Sequence, residues 1–505
     1  MSLINISNLT FSYDGSYGDI FTDVSFQIDT DWKLGFCGRN GRGKTTFLKL
    51  LMNQYEYTGS ITASVEFEYF PFTVEDMSLN VLDILQSITL GAQMWQIQKE
   101  LSKLAVDESI LYRPFATLSG GERTKALLAA LFLRQNSFLL IDEPTDHLDM
   151  AGRETVAAYL RAKTGYILIS HDRAFLDGCV DHILSINRAN IEVQSGNFSS
   201  WLCNKQMQDS FELAENSKLH KEINRLKSAA RQSSDWANKA ESSKLGKGAA
   251  EQRKKGRVTG NKEYIAEKSR RMQQRRSNLE RRQQAAIDEK TGLLKNVDHA
   301  SDLKIHPLSH HASRLLIADN LTISYSGRDV THGLSFVLEH GERLALTGGN
   351  GSGKSSVIKL LCGERIPHTG NVSAASKLII SYVPQDASFL AGDISDYARK
   401  QQINEPLFKA ILRKLDFSRL QFDKDMRDYS AGQKKKVLLA ASLCQQAHVY
   451  IWDEPLNYID VLSRMQIEDL ITAYKPTMLF VEHDRAFCDN IATRVYNLHF
   501  AGGRL

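Results

Sequence analysis

The sequence predicts an α/β protein in which two tandem P-loop domains are joined by a long α-helical hairpin. Three observations lead to this prediction: the motif G-x-x-x-x-G-K-[ST] occurs twice, the motifs behind it recur at nearly equal distances, and the segment between the two halves has helical periodicity. The expected boundaries are residues 1–204 for the first domain, 205–295 for the helical segment and 296–505 for the second domain.

Each predicted domain has a short apolar run, then a glycine-rich loop, then a helical pattern. The two stretches are "LGFCGRNGRGKTTFLKLL" and "LALTGGNGSGKSSVIKLL". In this context backbone N–H groups can surround phosphates, the lysine can neutralise them, and a Thr or Ser hydroxyl can bind Mg²⁺. The loop residues predicted to bind nucleotide are Gly38, Asn40, Gly41, Gly43, Lys44, Thr45 and Thr46, and Gly348, Asn350, Gly351, Gly353, Lys354, Ser355 and Ser356.

Further motifs follow both loops in the same order. The serine of "LSGGE" lies 75 residues after Lys44, and the serine of "YSAGQ" lies 76 residues after Lys354. The glutamates of "FLLIDEPTDHLD" and "VYIWDEPLNYID" both lie 24 residues beyond those serines, and the histidines of "ILISHD" and "LFVEHD" follow 28 and 29 residues later. A duplicated domain explains this spacing, and chance does not.

These motifs resemble the Walker A, signature, Walker B, D-loop and switch-histidine motifs of the ATP-binding cassette (ABC) superfamily, each present twice. The resemblance implies that two cassettes close head to tail, with each ATP between the Walker A loop of one and the signature of the other. ATP and Mg²⁺ are the implied cofactors. The signature residues implied to bind nucleotide are Ser119, Gly120, Gly121, Glu122, Ser430, Gly432 and Gln433.

The acids behind the Walker B strands and the histidines would share the chemistry of hydrolysis. The aspartates can reach Mg²⁺ directly or through water, the adjacent glutamates can polarise an attacking water, and the histidines can sense or stabilise the γ-phosphate. The predicted catalytic residues are Glu143, Glu454, His171 and His483. The predicted metal ligands are Thr45, Asp142, Ser355, Gln385 and Asp453.

Two tyrosines upstream of the Walker A loops, Tyr13 and Tyr325, match the position at which the superfamily stacks an aromatic ring on adenine. Ordinary packing is the alternative for both rings.

The two sites depart from the family pattern to different degrees. The second cassette keeps the Q-loop glutamine, Gln385 in "SYVPQD", whereas the first has Phe72 in "EYFPFT", and the second signature has Ala431 in place of glycine. The D-loop departures are Asp146, Leu456 and Tyr458. The hypothesis is that the site built from the first Walker A loop and "YSAGQ" holds ATP longer and hydrolyses it more slowly. Neutral variation is the alternative.

The segment between the cassettes is basic and helical in pattern. Residues 205–290 contain 22 Lys or Arg and 12 Asp or Glu, although the whole chain has a net charge of only +4. Apolar residues recur at helical steps on both sides of "SKLGKGAAEQRKKGRVTGNK" (residues 243–262), which predicts a hairpin with an outgoing limb of about 30 to 35 residues. The two apolar series are Leu219, Ile223, Leu226 and Ala230, and Ile265, Met272, Leu279 and Ala286.

The basic tip of this hairpin is predicted to contact RNA phosphates, and a flexible exposed connector is the alternative. Its glycines would let the backbone turn and approach closely. The residues predicted to bind RNA are Lys239, Lys244, Leu245, Lys247, Arg253, Lys254, Lys255 and Arg257.

The tandem cassettes, the hairpin and the "SHDRAFLD" and "EHDRAFCD" segments together resemble the ABC-F proteins over the whole chain. With only 47 residues from Phe72 to Ser119, there is little room for an extra arm, and the chain ends 22 residues after His483. These features, with "DTDWKLGFCGRNGRGKTT", "LYRPFATLSGGE" and "FELAEN", resemble the antibiotic-resistance group, most closely the Lsa/Vga type.

That resemblance implies binding at the exit-site region of the 70S ribosome, with contacts to large-subunit rRNA and P-site tRNA. It further implies protection against lincosamides, streptogramin A compounds and pleuromutilins. A translation factor without a drug role remains the second hypothesis. A DNA-repair or chromosome-structure ATPase is disfavoured because neither a zinc module nor a long insertion within a cassette is visible, so DNA is not expected as a partner.

The composition suits a cytoplasmic protein. There is no run of about 18 apolar residues and no signal-peptide pattern, so the chain is expected to have no membrane domain of its own. The six cysteines are scattered and form no C-x-x-C pair, so neither a zinc site nor a disulfide framework is expected.

Overall fold

The computed structural model describes most of both predicted domains and part of the segment between them. The described residues are 2–13, 19–89, 91–134, 136–186, 191–251, 304–325 and 328–498, without the side chains of residues 226, 229–251 and 420. Two compact units are present: Met1–Trp201 together with Ala300–Leu505, and Leu202–His299. The two repeated halves therefore form one unit.

The first half contains the first nine strands and six of the helices. Its strands are β1 (Leu3–Phe11), β2 (Phe21–Asp29), β3 (Lys33–Cys37), β4 (Thr58–Thr62), β5 (Glu66–Phe70), β6 (Ser137–Asp142), β7 (Tyr166–Ile169), β8 (His182–Ile186) and β9 (Ile191–Ser195). Its helices are α1 (Lys44–Leu51), α2 (Val81–Thr89), α3 (Met94–Lys103), α4 (Gly120–Leu131), α5 (Met150–Arg161) and α6 (Arg173–Cys179), with 3₁₀ turns at Glu108–Tyr112 and Phe115–Thr117. Helix α7 (Phe198–Glu251) follows.

The second half repeats this order. Its strands are β10 (Arg314–Tyr325), β11 (Arg328–Glu339), β12 (Arg343–Gly348), β13 (His368–Ala374), β14 (Ile380–Val383), β15 (Val449–Asp453), β16 (Met478–Val481) and β17 (Arg494–Leu498). Its helices are α8 (Lys354–Leu361), α9 (Ile394–Lys400), α10 (Glu405–Lys414), α11 (Arg419–Phe422), α12 (Ala431–Cys444), α13 (Val461–Tyr474) and α14 (Arg485–Ile491), with a 3₁₀ turn at Met426–Asp428.

Each half combines a mainly parallel sheet with a small antiparallel sheet. The large sheets have the orders β5-β6-β7-β3-β8-β9 and β14-β15-β16-β12-β17, and the small ones β2-β1-β4 and β11-β10-β13. Strands β6 and β15 are buried almost throughout, as expected for central parallel strands covered on both faces. The predicted α/β class and the duplication are therefore confirmed.

This topology brings the predicted motifs to one edge of each large sheet. The Walker A loops follow β3 and β12, and the Walker B aspartates end β6 and β15. In parallel sheets ligands bind beyond the carboxyl ends of the strands. Gly43 and Gly353 begin α1 and α8 with φ of 92° and 86°, and an added Cβ would lie 2.6 Å from a neighbouring side-chain carbon in each case. Glycine is thus required where each loop turns into its helix.

Helix α7 differs from the predicted outgoing limb of the hairpin. Its 54 residues, about 80 Å at 1.5 Å per residue, exceed the expected 30 to 35 residues. The helix continues through Gly246 and Gly248, so the expectation that these two glycines turn the backbone is wrong. Each glycine costs the helix only about 1 kcal/mol, and the Ala, Lys and Glu residues around them are good helix formers.

The predicted apolar series along this helix is described only in its first turns. Ile223 is buried and Leu219 is half-buried. The second series, Ile265 to Ala286, lies outside the described residues. Among the residues that the structure describes, no helix combines the length and apolar character needed to cross a bilayer.

Candidate active sites

The two Walker A loops contact the opposite halves of the molecule. Asn350 Nδ2 donates to the main-chain oxygen of His147 at 3.2 Å, and Asn40 Nδ2 donates to that of Tyr458 at 2.8 Å. His147 and Tyr458 are corresponding D-loop residues. An added Cβ on Gly432 of the second signature would lie 2.7 Å from the same Tyr458 oxygen. The second signature therefore lies beside the first Walker A loop. The geometry is head to tail, as the resemblance to the ABC superfamily implies.

We call the site around Lys44, Glu143 and His171 the first site, and the site around Lys354, Glu454 and His483 the second site. The second site opens into a cleft of about 990 Å³, at the upper end of the range of ligand pockets. The predicted residues that line it are Ser119, Gly120, Gly121 and Glu122 from the first half, and Tyr325, Asn350, Gly351, Gly353, Lys354, Ser355, Ser356, Gln385, Glu454 and His483 from the second. Most of the predicted second site is thus brought together.

The signature motifs begin helices α4 and α12 with capping boxes. Ser119 Oγ accepts from Glu122 N at 3.3 Å while Glu122 Oε2 accepts from Ser119 N at 2.8 Å. Ser430 and Gln433 repeat this exchange. The spacing of three residues therefore also has a structural purpose, since it satisfies free N–H groups at each helix start. The side chains of Glu122 and Gln433 stabilise their helices in this structure.

In the second site, hydrogen bonds hold Glu454 in place. Gln385 Nε2 and Asn457 Nδ2 each donate to Glu454 Oε2 at 2.8 Å, and His483 Nε2 lies 3.3 Å from Glu454 Oε1. Burial raises the pKa of Glu454, but the bond from His483 and the other two bonds outweigh it and hold the pKa at about 2. The group is therefore an oriented, ionised carboxylate at neutral pH, as a general base requires.

Asp453 offers a place for a cation in the same site. Its side chain is fully buried, and within the described part of the chain neither carboxylate oxygen accepts a hydrogen bond. Burial raises the pKa of Asp453 to about 6, and the nearby Ser355 hydroxyl opposes this shift. Such a carboxylate beside Ser355 and Gln385 fits the oxygen ligands that Mg²⁺ takes together with substrate phosphates and water.

In the described ranges no cluster of three or more His, Cys, Asp or Glu could hold a metal ion alone. Mg²⁺ bound with substrate phosphates does not need such a cluster.

The first site lacks the donors that hold Glu454. Phe72 and Asp146 stand where the second site has Gln385 and Asn457, and neither an aromatic ring nor an ionised carboxylate can donate to Glu143. The described contacts of the Glu143 carboxylate come from His171. The main-chain N–H of His171 donates to Glu143 Oε2 at 3.3 Å, and His171 Nε2 lies 3.2 Å from Glu143 Oε1. Burial raises the pKa of Glu143 well above its ordinary value, and Asp146 and Asp142 raise it further.

The predicted metal ligands of the first site are also engaged differently. Asp142 Oδ2 accepts from Thr45 Oγ1 and from Tyr69 OH, both at 3.0 Å. The tyrosine that corresponds to Tyr69 is Tyr382, whose buried hydroxyl makes no hydrogen bond to the described residues. In this conformation the carboxylate of Asp142 therefore accepts hydrogen bonds from protein side chains, and among the described residues that of Asp453 accepts none.

Both Walker A lysines are turned onto their own loops. Lys44 Nζ donates to the main-chain oxygens of Gly38 at 2.6 Å and Arg39 at 3.2 Å, and Lys354 Nζ donates to that of Gly348 at 2.9 Å. Burial lowers the pKa of both lysines.

The two tyrosines lie beside their loops, as expected. Tyr13 OH is 2.8 Å from Thr46 Oγ1, and Tyr325 OH donates to Ser356 Oγ at 3.1 Å. Both side chains remain partly exposed. A role in stacking on adenine stays a prediction.

The predicted RNA-binding residues are not part of these sites. Lys239, Lys244, Leu245 and Lys247 lie on the backbone of α7, and their side chains are not described. Arg253, Lys254, Lys255 and Arg257 lie outside the described residues.

Sequence reasoning missed two buried lysines behind the second signature. Lys435 Nζ donates to the main-chain oxygens of Pro384 at 2.9 Å and Glu454 at 3.1 Å, and so ties the Q-loop to the Walker B strand. Lys436 Nζ donates to the main-chain oxygen of Leu415 at 2.7 Å. The run "KKK" resembles a solvated helix face, and only its position directly before the apolar "VLLAA" indicates burial.

Comparison with known proteins gives a consistent result. A family model described as ABC transporter matches residues 21–146 and 331–457. The ribosome protection protein VmlR of Bacillus subtilis is 26% identical over 96% of this chain and 85% of its own length. ABC transporter F family member 2 of Arabidopsis thaliana is 24% identical over 99% of this chain and 78% of its own length.

A solved structure shares the fold. It is the complex of the archaeal ribosomal stalk protein aP1 with the archaeal ribosome recycling factor aABCE1, with a TM-score of 0.63 and 18% identity over 97% of this chain and 87% of the matched chain.

Proposed function

Because the chain belongs to the ABC transporter family and is an ABC ATPase, we propose that it is a ribosome-binding ATPase of the ABC-F branch. ATP binding would close the two composite sites and favour attachment to the ribosome, and hydrolysis would favour release. The single observation that carries the ATP-driven step is the second site, where residues of both halves line one cleft. The relatives whose names include ribosome protection and the F family support the ribosomal role.

The chain's own residues account for the catalytic steps. Lys354 would turn from its loop to the β- and γ-phosphates, and the start of α4 from the other half would add N–H donors and the Ser119 hydroxyl. Glu454 would orient the attacking water and take its proton, while His483 holds the carboxylate in position. Mg²⁺ would be held by Thr45 and Asp142 in the first site, and by Ser355, Gln385 and Asp453 in the second. When bound, it supplies charge neutralisation at the phosphates.

A site made from two halves explains how nucleotide controls shape. ATP can stabilise only the arrangement in which both halves contact it, so its binding shifts the population towards the closed molecule. Hydrolysis removes part of those contacts and permits opening. The nucleotide thus limits how long a closed molecule stays attached to its partner.

We further propose that the two sites turn over unequally, with the second site faster. Glu454 receives two side-chain amide bonds and lies beside His483, whereas Phe72 and Asp146 supply no such donors to Glu143. A base that is held by several donors is better oriented for proton transfer.

The ribosomal step is assigned to the segment between the cassettes. Its excess of basic residues, from Lys239 to Arg257, would contact large-subunit rRNA phosphates near the exit site and P-site tRNA, with an affinity that falls with salt. The tip would then dislodge lincosamide, streptogramin A or pleuromutilin antibiotics. The second candidate is a translation factor without a drug role, and the similar identity to a plant member of the F family supports it equally.

Co-sedimentation tests this function directly. The double variant Glu143→Gln and Glu454→Gln, saturated with Mg-ATP, should pellet with 70S ribosomes and large subunits at moderate salt and should be released by ADP exchange. Binding should weaken steeply as salt rises. Failure of this variant to pellet with large subunits would contradict the ribosomal role.

A growth assay then separates the two candidates. Cells that carry the protein should tolerate large-subunit antibiotics better than cells that carry the double variant. Unchanged tolerance to every drug of a panel, with ribosome binding intact, would favour the translation factor.

A further inference from the structure

The two halves also meet along the helices that follow the D-loops and the switch histidines. Arg173, at the start of α6, donates through Nη2 to Glu468 Oε1 on α13 of the other half. Asn490 Nδ2 on α14 donates to Glu468 Oε2 at 3.2 Å. We call these three residues the clasp. It is largely buried, since the side chains of Arg173 and Glu468 are only 12% and 7% exposed.

The corresponding place on the other side of the interface is built differently. Arg485 corresponds to Arg173, and it pairs with Glu154 at 2.8 Å, with both side chains more than 60% exposed. Ala157 lies eight residues after Asp149, the N-cap of α5, just as Glu468 lies eight after Asp460, the N-cap of α13. Gly178 similarly stands six residues after the N-cap of α6, where α14 has Asn490.

Small side chains at these two positions leave a cavity. It has a volume of about 250 Å³, and Ala157, Gly178, His483 and Arg485 are among the residues that line it. A Cβ added to Gly178 would meet Ala157 Cβ at 3.4 Å, an ordinary contact, so the backbone at Gly178 can carry a side chain that points to the cavity edge at Ala157. The clasp side is therefore joined by a buried ion pair, whereas on the other side Arg153 Nη1 donates to the main-chain oxygen of His483 at 3.3 Å beside the cavity.

The two ion pairs differ in what their loss means. An exposed pair such as Arg485–Glu154 contributes little and is screened by salt. Breaking a buried ion pair leaves an uncompensated charge away from water, and this costs much more free energy than breaking an exposed pair. Burial raises the pKa of Glu468, and Arg173 is the largest opposing influence, so the carboxylate depends on the guanidinium. Separation of the halves at the clasp must break this buried contact.

Each side of the interface adjoins one nucleotide site. Arg173 lies two residues after His171 of the first site, and His483 of the second site borders the cavity. We propose that the clasp keeps the halves together at the first site while the second site opens and closes, so that the first site acts as the hinge. This inference rests on the proposed function only in that nucleotide binds between the halves.

Release of a fluorescent ATP analogue from the purified full chain tests the hinge. We expect two phases, with Lys44→Ala removing the slow phase and Lys354→Ala the fast one. Glu468→Ala should accelerate the slow phase at least about tenfold and leave the fast phase nearly unchanged. Glu154→Ala is the matched control and should change neither phase by more than about twofold. An unchanged slow phase in Glu468→Ala, or an equal acceleration in Glu154→Ala, would overturn the proposal.

A gain-of-contact variant keeps the test decisive if Glu468→Ala does not fold. Ala157→Glu combined with Gly178→Asn should supply Arg485 with a second clasp and slow the fast phase several-fold. A fast phase that stays unchanged in this folded double variant would overturn the hinge. Neither experiment uses ribosomes, so failure of the ribosomal role leaves its outcome unaffected.

Discussion

At the scale of single residues, two substitutions separate the chemistry of the sites. An amide at Asn457 and another at Gln385 hold the carboxylate of Glu454, and their replacement by Asp146 and Phe72 leaves Glu143 without side-chain amide donors. The backbone is alike in both places, since both glutamates have a φ between 45° and 50°. The difference therefore arises from side-chain chemistry on a shared scaffold.

Separate glutamine substitutions should have unequal effects. Glu454→Gln should reduce ATP turnover by at least about 100-fold, because it removes the well-oriented base of the faster site. Glu143→Gln should reduce the total rate much less, since its site contributes little. Steady-state phosphate release by each folded variant measures this, and equal losses would contradict unequal sites.

A reciprocal exchange at the D-loop should move activity between the sites. In a Glu454→Gln background, Asp146→Asn should raise the remaining turnover several-fold, because it adds a donor towards Glu143 and removes a repelling carboxylate. In a Glu143→Gln background, Asn457→Asp should lower it. If Asp146→Asn leaves phosphate release unchanged while ATP binding is intact, this explanation of the first site is wrong.

At the scale of elements, local clusters hold the helical parts of each cassette. Glu100 on α3 accepts from Tyr159 OH at 2.5 Å, Lys163 Nζ at 2.6 Å and Lys103 Nζ at 2.8 Å. Burial raises the pKa of Glu100, but these bonds outweigh it and leave a pKa of about 2. The cluster ties α3 to the end of α5.

Acid should remove the contribution of this cluster. Since the folded pKa lies below the ordinary 4.5, the stabilisation is complete above about pH 4.5 and is lost as the pH falls towards about 2. Glu100→Gln should therefore lower the thermal unfolding midpoint by a few degrees at pH 7, with a gap to the parent protein that narrows below pH 4.5. A gap that does not change with pH would contradict the assignment.

At the scale of the whole molecule, the proposed function would link two events. One is closure of the paired halves, which lie in one compact unit. The other is engagement of RNA by the basic segment that begins with α7. The catalytic chemistry would therefore survive changes to the basic segment that abolish the biological effect.

Replacement of residues 240–258 by a short neutral turn tests this link. The variant should keep its ATPase activity, because the replaced residues lie far along the chain from both sites, and it should lose ribosome-dependent drug tolerance. A substitution of equal length that retains the basic residues is the control. Drug tolerance that persists in the neutral variant would remove the tip from the mechanism.

The sequence by itself determined the duplication, the α/β class and the motifs that meet at each site. It could do so because phosphate-binding loops and buried parallel strands depend on local spacing and composition. Even the two residues by which the first site departs from the second, Phe72 and Asp146, were visible in the sequence.

Only the tertiary structure decided which groups meet. Within the described residues it brought three partners to Glu454, left the carboxylate of Asp453 without a hydrogen bond, buried Lys435, and joined the two halves through the clasp of Arg173, Glu468 and Asn490. Most of these contacts join residues far apart in the chain, and a charged side chain looks the same in a sequence whether it is solvated or buried. The extent of α7 through Gly246 and Gly248 was likewise not predicted, although the good helix formers around these glycines offset their cost over a long segment.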